Sequence, residues 1–141
     1  IKILLNDSSS QNLNKMNENV MFGNAPKSSK IINKLLTEGA SPISLIRSLI
    51  NYLLRIQQTK IEMKKGNNFE QSIKALRPPV FWKDKPVFLK LLQKWDKQRV
   101  IGALEYLGKT EEKIKKNSAL NTLTVVKNSI TNICTNSWTY F

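Results

Sequence analysis

The amino-acid sequence predicts an all-α protein, a single helical bundle of about six or seven helices. Apolar residues recur at spacings of three and four along most of the chain, which is the period of amphipathic helices. Single glycines and prolines separate these segments, at positions typical of helix ends and helix starts. No strand alternation, hairpin turn or repeat is convincing. With 141 residues, 40% of them hydrophobic, the chain is long enough for one domain with one core.

The first two predicted helices have signals at both ends. Asp7 and the serines at 8–10 can cap the first helix, which ends near Gly23. Pro26 lies in the first turn of the second helix, and Gly39 suits the left-handed residue that ends it. The apolar faces of these helices comprise Leu13, Met16 and Val20 in the first and Ile31, Ile32, Leu35 and Leu36 in the second.

The third predicted helix is the longest. Ser41 can cap it, Pro42 lies in its first turn, and Gly66 ends it. Its apolar face is wide enough to predict a central helix, and comprises Leu45, Ile46, Leu49, Ile50, Leu53, Leu54 and Ile56. Its polar face carries Arg47, Arg55, Lys60, Lys64 and Lys65.

Three further helices have cap residues of their own. Asn67 or Asn68 can cap a short fourth helix, Asp84 the fifth and Asp96 the sixth. Their inward residues are Phe69, Ile73 and Leu76 in the fourth, Phe88, Leu91, Leu92 and Trp95 in the fifth, and Val100, Ala103, Leu104, Leu107 and Ile114 in the sixth. On the sixth helix, two acids precede two lysines at ion-pair spacing, namely Glu111, Glu112, Lys115 and Lys116.

The last predicted helix follows residue 118, although its Thr, Val and Ile residues also raise strand propensity. Its apolar stripe comprises Leu120, Leu123, Val126, Ile130 and Ile133. The aromatic tail at 138–141 is expected either to pack back on the bundle or to fray.

A rigid apolar connector separates the fourth and fifth helices. Pro78 and Pro79 break the chain, because neither donates a backbone hydrogen bond and each restricts the residue before it. Val80, Phe81 and Trp82 follow, which exposes aromatic surface unless a core or a partner covers it. Since adjacent side chains cannot easily both reach one core, at least one of Phe81 and Trp82 is a candidate interface residue.

The residue types argue against catalysis. The chain has no histidine, and its acids form no paired constellation for acid and base chemistry, so no catalytic residue is assigned. Cys134 is the one cysteine, which excludes an internal disulfide and the usual zinc spacings. No glycine-rich phosphate loop occurs. We therefore predict no cofactor and no metal, and interpret Cys134 as a buried structural thiol.

The net charge of +13 would attract polyanions such as nucleic acid or an acidic protein. The scattered lysines are equally consistent with a merely solvated surface. No apolar run approaches the about 20 residues that cross a bilayer, and no signal peptide opens the chain. We expect a cytoplasmic protein without membrane contact. Because the chain starts at Ile1, we also expect it to be the C-terminal piece of a longer protein.

Three segments carry a family resemblance. Residues 76–83 read Leu-Arg-Pro-Pro-Val-Phe-Trp-Lys, and residues 88–95 read Phe-Leu-Lys-Leu-Leu-Gln-Lys-Trp. Upstream, residues 36–47 fit the pattern L-x-x-G-x-x-P-x-x-L-[LI]-R. In this order and at this distance, they resemble the C-terminal domain of the delta subunit of bacterial DNA polymerase III, a clamp-loader protein. The resemblance covers nearly the whole chain from about Asp7 and is weakest after Asn117.

The resemblance implies a helical collar domain at residues 8–141, with residues 1–7 left from a linker to a missing AAA+ region. Its implied partners are the gamma/tau and delta prime subunits in a hetero-pentameric ring, with the sliding clamp contacted through the missing region. The implied parent complex is a DNA polymerase holoenzyme that loads the clamp onto primed DNA. Candidate interface residues are Arg77, Pro79, Phe81 and Trp82, although Arg77 is equally suited to bind carbonyls left open at the preceding helix end.

The alternative function is a stand-alone basic helical module that binds nucleic acid through phosphate contacts. Phosphate binding should weaken steeply with salt, whereas assembly through apolar helix faces should persist. A weaker possibility is an enzyme, which would require a deep polar pocket.

Overall fold

The computed structural model describes residues 2–117, 119 and 121–138, and the side chains from residue 10 onward. These residues form seven α-helices and no strand, which confirms the all-α bundle. The helices are α1 (Lys2–Phe22), α2 (Ala25–Thr37), α3 (Pro42–Lys64), α4 (Phe69–Ile73), α5 (Lys85–Lys94), α6 (Lys97–Lys116) and α7 (Thr122–Thr135). A 3-10 turn, Trp82–Asp84, precedes α5. None of the described helices is both long and apolar enough to span a bilayer.

The long helix α3 lies at the centre of the bundle, as its wide apolar face predicts. It packs against α1, α4, α5, α6 and α7, while α1 and α2 pack together and α7 closes against α1, α2 and α6. The core residues with no measurable exposure include Met16, Val20, Leu45, Ile46, Leu49, Leu53, Ile56, Leu91, Trp95, Ala103, Leu107, Val126 and Ile133. Most of the predicted apolar stripes therefore meet in one core.

Trp95 joins the ends of three helices inside this core. Its ring is fully buried, and its Nε1 donates to the backbone oxygen of Met21 at the end of α1, at 2.8 Å. The guanidinium of Arg99 lies 3.9 Å from the ring centroid. A buried indole needs such a partner for its N–H, so this hydrogen bond fixes α5 against α1.

Helix starts follow the predicted caps in three cases. Ser41 Oγ accepts from Ser44 N at 3.3 Å, and Asp96 Oδ1 accepts from Arg99 N at 2.8 Å. Asn68, the second of the two candidates for α4, forms a capping box with Gln71. The helices therefore begin where local side chains replace the missing backbone partners.

Two cap predictions are wrong. Helix α1 begins at Lys2 and continues through Asp7 and the serines at 8–10, because Ser and Asp are tolerated inside a helix and no glycine or proline interrupts this stretch. Asp84 has helical backbone angles at the end of the 3-10 turn, so its side chain caps nothing in α5. The proposed division of the chain after residue 7 stays a prediction.

Other predicted contacts also differ. Leu54 and Leu123 are 44% and 40% exposed, because Leu54 points away from the buried side of α3 and Leu123 lies in the first turn of α7. Glu111 binds Arg47 of α3 at 2.8 Å instead of a lysine on its own helix. Trp138 packs back against the bundle and is 9% exposed. Leu120 and residues 139–141 lie outside the described residues.

Candidate partner interface

The connector, defined here as residues 77–83, runs over the surface between α4 and α5 and is anchored at both ends. Leu76, just before it, is buried, and Val80 in its middle packs partly against the core. At its far end, Asp84 N donates to the oxygen of Phe81 at 2.8 Å, which forms the 3-10 turn. A connector held at three points presents its remaining side chains in a fixed arrangement.

Two arginines hold the proline segment of the connector. Arg77 Nη1 donates to the backbone oxygens of Lys74 and Leu76 at 2.6 and 2.8 Å, which are the open carbonyls at the end of α4. Arg55 reaches from α3 and donates through Nη1 to Pro78 O at 2.7 Å. Partial burial lowers the pKa of Arg55, but guanidinium begins so high that it remains charged at neutral pH.

The contacts of Arg77 agree with its alternative interpretation, in which it closes the helix end. Its guanidinium is engaged within the chain, so any contact with a partner would add to these hydrogen bonds. Pro79 is exposed at the outer side of the connector. Of the four candidate residues, Arg77 and Pro79 thus shape the connector, and Phe81 and Trp82 carry its large apolar surface.

Phe81 and Trp82 both face outward. They are 56% and 67% exposed, and their ring centroids lie 5.9 Å apart at an angle of 44°. Lys83 Nζ lies 5.5 Å from the Trp82 ring centroid, a cation–π contact that leaves the ring accessible. The sequence predicted at least one outward aromatic residue, and the described fold provides two in contact with each other.

A hollow of about 410 Å³, called here the connector hollow, lies between the connector, α1, α3 and α5. Phe81, Tyr52 and Phe88 contribute aromatic walls, and Arg55 and Asp84 contribute charge. Asn17 lines it from α1 and is 4% exposed. Its Nδ2 donates to Ser48 Oγ at 3.0 Å, whereas its Oδ1 accepts no hydrogen bond from any described residue.

Glu18 is a buried carboxyl close to the hollow. It is 5% exposed, accepts from Asn14 Nδ2 at 3.1 Å and lies 3.6 Å from Lys15 Nζ. Burial raises its pKa, the Asp84 charge adds to that rise, and Lys15 opposes it. Burial also raises the pKa of Tyr52 far above its usual value. The raised pKa keeps Tyr52 uncharged at neutral pH, and the hollow therefore offers a partner mainly the apolar surface of its aromatic rings.

Cys134 lies elsewhere, beneath α2. It is 6% exposed, its Sγ lies 3.9 Å from Ser28 Oγ, and burial raises the pKa of the thiol. This agrees with the predicted buried structural thiol. Within the described residues, no three or more His, Cys, Asp or Glu side chains are grouped so that they could hold a metal ion.

Arg55 and Asn17 are the site residues that the sequence did not reveal. Arg55 is recognisable only as a polar residue on α3, and Asn17 only as one of several asparagines in α1. Their roles depend on how α1, α3 and the connector meet, which the spacing within a single helix does not encode.

The connector also lies within the region of family similarity. A protein-family model described as DNA polymerase III delta subunit, C-terminal domain, matches residues 10–127. The match contains all of α2 to α6, the connector and most of α1. No curated protein and no solved structure gives a significant match.

Proposed function

Because the chain belongs to the family of C-terminal domains of the DNA polymerase III delta subunit, we propose that it is the collar domain through which this clamp-loader protein assembles with its neighbours. The expected neighbours are gamma/tau and delta prime subunits in a five-membered ring. The ring would open the sliding clamp and load it onto primed DNA. The clamp contact would belong to a region outside this chain.

The exposed aromatic pair supports this proposal most directly. Phe81 and Trp82 expose more than half of their surface on a connector that two arginines hold in place. Aromatic residues are enriched at the centres of protein interfaces, where covering them releases water from a large apolar area. A rigid connector loses little conformational freedom on binding, so more of that gain appears as affinity.

A ring member needs a second surface as well. In a closed ring of different subunits, each member contacts one neighbour on each side through different residues. Leu54 on α3 and Leu123 on α7 are exposed apolar residues, and neither lines the connector hollow. We propose the outer faces of these two helices for the second neighbour.

The test is assembly in solution. The purified chain is mixed with gamma and delta prime subunits from the same source, and the mass of the product is measured by light scattering at moderate salt. We expect a complex that contains the chain and persists as salt rises, because apolar burial is little weakened by ionic strength. If no complex that contains the chain formed at any salt concentration, the proposal would be contradicted.

The net charge of +13 favours nucleic-acid binding as the second candidate function. Binding through phosphate contacts would weaken steeply with salt, with a slope set by the number of phosphates neutralised. Tight, salt-sensitive binding of a labelled DNA duplex, together with no assembly with the other clamp-loader proteins, would reverse the order of the two functions.

A further inference from the structure

An apolar groove lies at the C-terminal end of α3, apart from the residues proposed above for ring contacts. A groove of about 640 Å³, called here the lysine groove, runs between the C-terminal half of α3, α5 and the start of α6. Its apolar lining comprises Ile61, Met63, Leu89, Leu92 and Val100. Ile61 is 51% exposed and Met63 is 37% exposed, so much of this apolar surface meets solvent.

The rest of the groove lining is basic or neutral. Lys60, Lys64 and Lys97 line it together with Gln57 and Gln93, and no acid is among the lining residues. Within the described part of the chain, none of the three lysines has a carboxylate within ion-pair distance. The nearest acid along α3, Glu62, is bound by Lys65 and Asn67 at 3.3 and 3.1 Å.

The lysine groove is separate from the connector hollow. The α3 residues that line the hollow are Ser48, Asn51, Tyr52 and Arg55, and those that line the groove are Gln57, Lys60, Ile61, Met63 and Lys64. At about 100° per residue, the two sets point about 160° apart around the helix axis. A partner in the groove would therefore leave the connector free.

We propose that the lysine groove binds an acidic amphipathic helix of a partner protein. An apolar groove between helices accepts the apolar edge of such a helix, with side chains at i, i+3 and i+7 as anchors. Acidic residues beside those anchors would meet Lys60, Lys64 and Lys97, none of which forms an ion pair with a described carboxylate. The inference does not depend on what the connector binds.

The groove favours this occupant over two others. Nucleic-acid phosphates would pair with the lysines but would leave the apolar lining of the groove, including Ile61 and Leu89, uncovered. A second copy of the chain would bring another net charge of +13 against the same three lysines. Only a partner that is both acidic and apolar would pair with the three lysines and also cover the apolar lining of the groove.

The probe for the test is a fluorescein-labelled helical peptide of about five turns. It consists of Glu, Ala and Leu, with the leucines at i, i+3 and i+7. A matched peptide has Lys in place of every Glu, and a labelled DNA duplex serves as the polyanion control. Fluorescence anisotropy with the whole chain should show binding of the acidic peptide and at least about tenfold weaker binding of the basic one.

Variants then locate the site. Lys60→Glu with Lys64→Glu should weaken binding of the acidic peptide on the order of tenfold, because two rim charges are reversed. The matched control, Lys30→Glu with Lys34→Glu on the exposed face of α2, changes the net charge equally and should weaken it far less. Ile61→Ser should weaken binding because it removes apolar contact area from the groove. Ile61 is exposed, so the variant should not unfold the chain.

Several results would overturn the proposal. These are no binding of the acidic peptide, equal binding of both peptides, or an equal loss in the two charge-reversed pairs. DNA binding that the groove pair abolishes and the α2 pair leaves intact would assign the lysines to phosphates instead.

Discussion

Gly102 on α6 shows how closely the C-terminal tail packs. A Cβ at this position would lie 2.5 Å from Cζ3 of Trp138, whose ring also lies 6.4 Å from that of Tyr106. Gly102→Ala should therefore displace Trp138 and lower the free energy of unfolding by roughly 1–2 kcal/mol through lost apolar burial. Denaturant unfolding followed by tryptophan fluorescence measures this change.

Gly108 on the same helix provides the matched control. A Cβ there would meet no atom within 4 Å, so Gly108→Ala should raise stability by about 0.5–1 kcal/mol through helix propensity alone. If both variants stabilised the chain equally, Trp138 would not be packed on α6.

Glu18 predicts a pH-dependent stability. Burial raises its pKa, so the folded state binds the proton more tightly than the unfolded state does. The free energy of unfolding should fall as the pH rises from the unfolded pKa of about 4.3 through the raised value, and remain lower at neutral pH. Glu18→Gln removes this penalty and should raise Tm at neutral pH.

The same variant should lose its advantage in acid. Below the unfolded pKa, Glu18 is protonated in both states, and the two melting temperatures should converge. A difference that stayed constant across the pH range would assign the effect to packing instead of ionisation.

At the level of elements, local signals predicted most helix starts. Ser41, Asn68 and Asp96 cap their helices because each cap is a contact over three residues. The predicted start of α1 was wrong because serine and aspartate are also tolerated within a helix. The prediction that Asp84 caps α5 was wrong because the 3-10 turn before α5 already gives this residue helical backbone angles.

Arg55 links the central helix to the connector and should affect binding more than folding. Arg55→Met removes the hydrogen bond to Pro78 O, at a cost to stability of about 1 kcal/mol for a partly buried group. The connector would then sample more conformations, so its affinity for clamp-loader subunits should fall by more than stability does. Titration calorimetry and thermal melts measure the two effects.

Lys116→Met is the control on α6. Lys116 binds Glu112 of its own helix at 2.7 Å, and neither residue lines the connector hollow or lies on α3 or α7, so this variant should change Tm slightly and affinity not at all. If both variants lost affinity equally, the position of the connector would not be what determines binding.

At the level of the whole molecule, the sequence predicted the fold class, the central helix and the position of the aromatic connector. These depend on periodicity and on two adjacent prolines, which are local properties. The connector hollow and the lysine groove were not predictable, because three or four elements distant in the chain build each one. The sequence showed Lys60 and Lys64 as polar residues of α3, but it did not show the apolar groove that they line.

The measurement that tests the central claim most directly is the affinity of clamp-loader subunits for the double variant Phe81→Ala with Trp82→Ala, determined beside its Tm. Both side chains are largely exposed, so Tm should change little, while loss of two interface anchors should weaken binding to those subunits by about 100-fold or more. Unchanged affinity, or a fall in Tm large enough to account for the lost binding, would contradict the account.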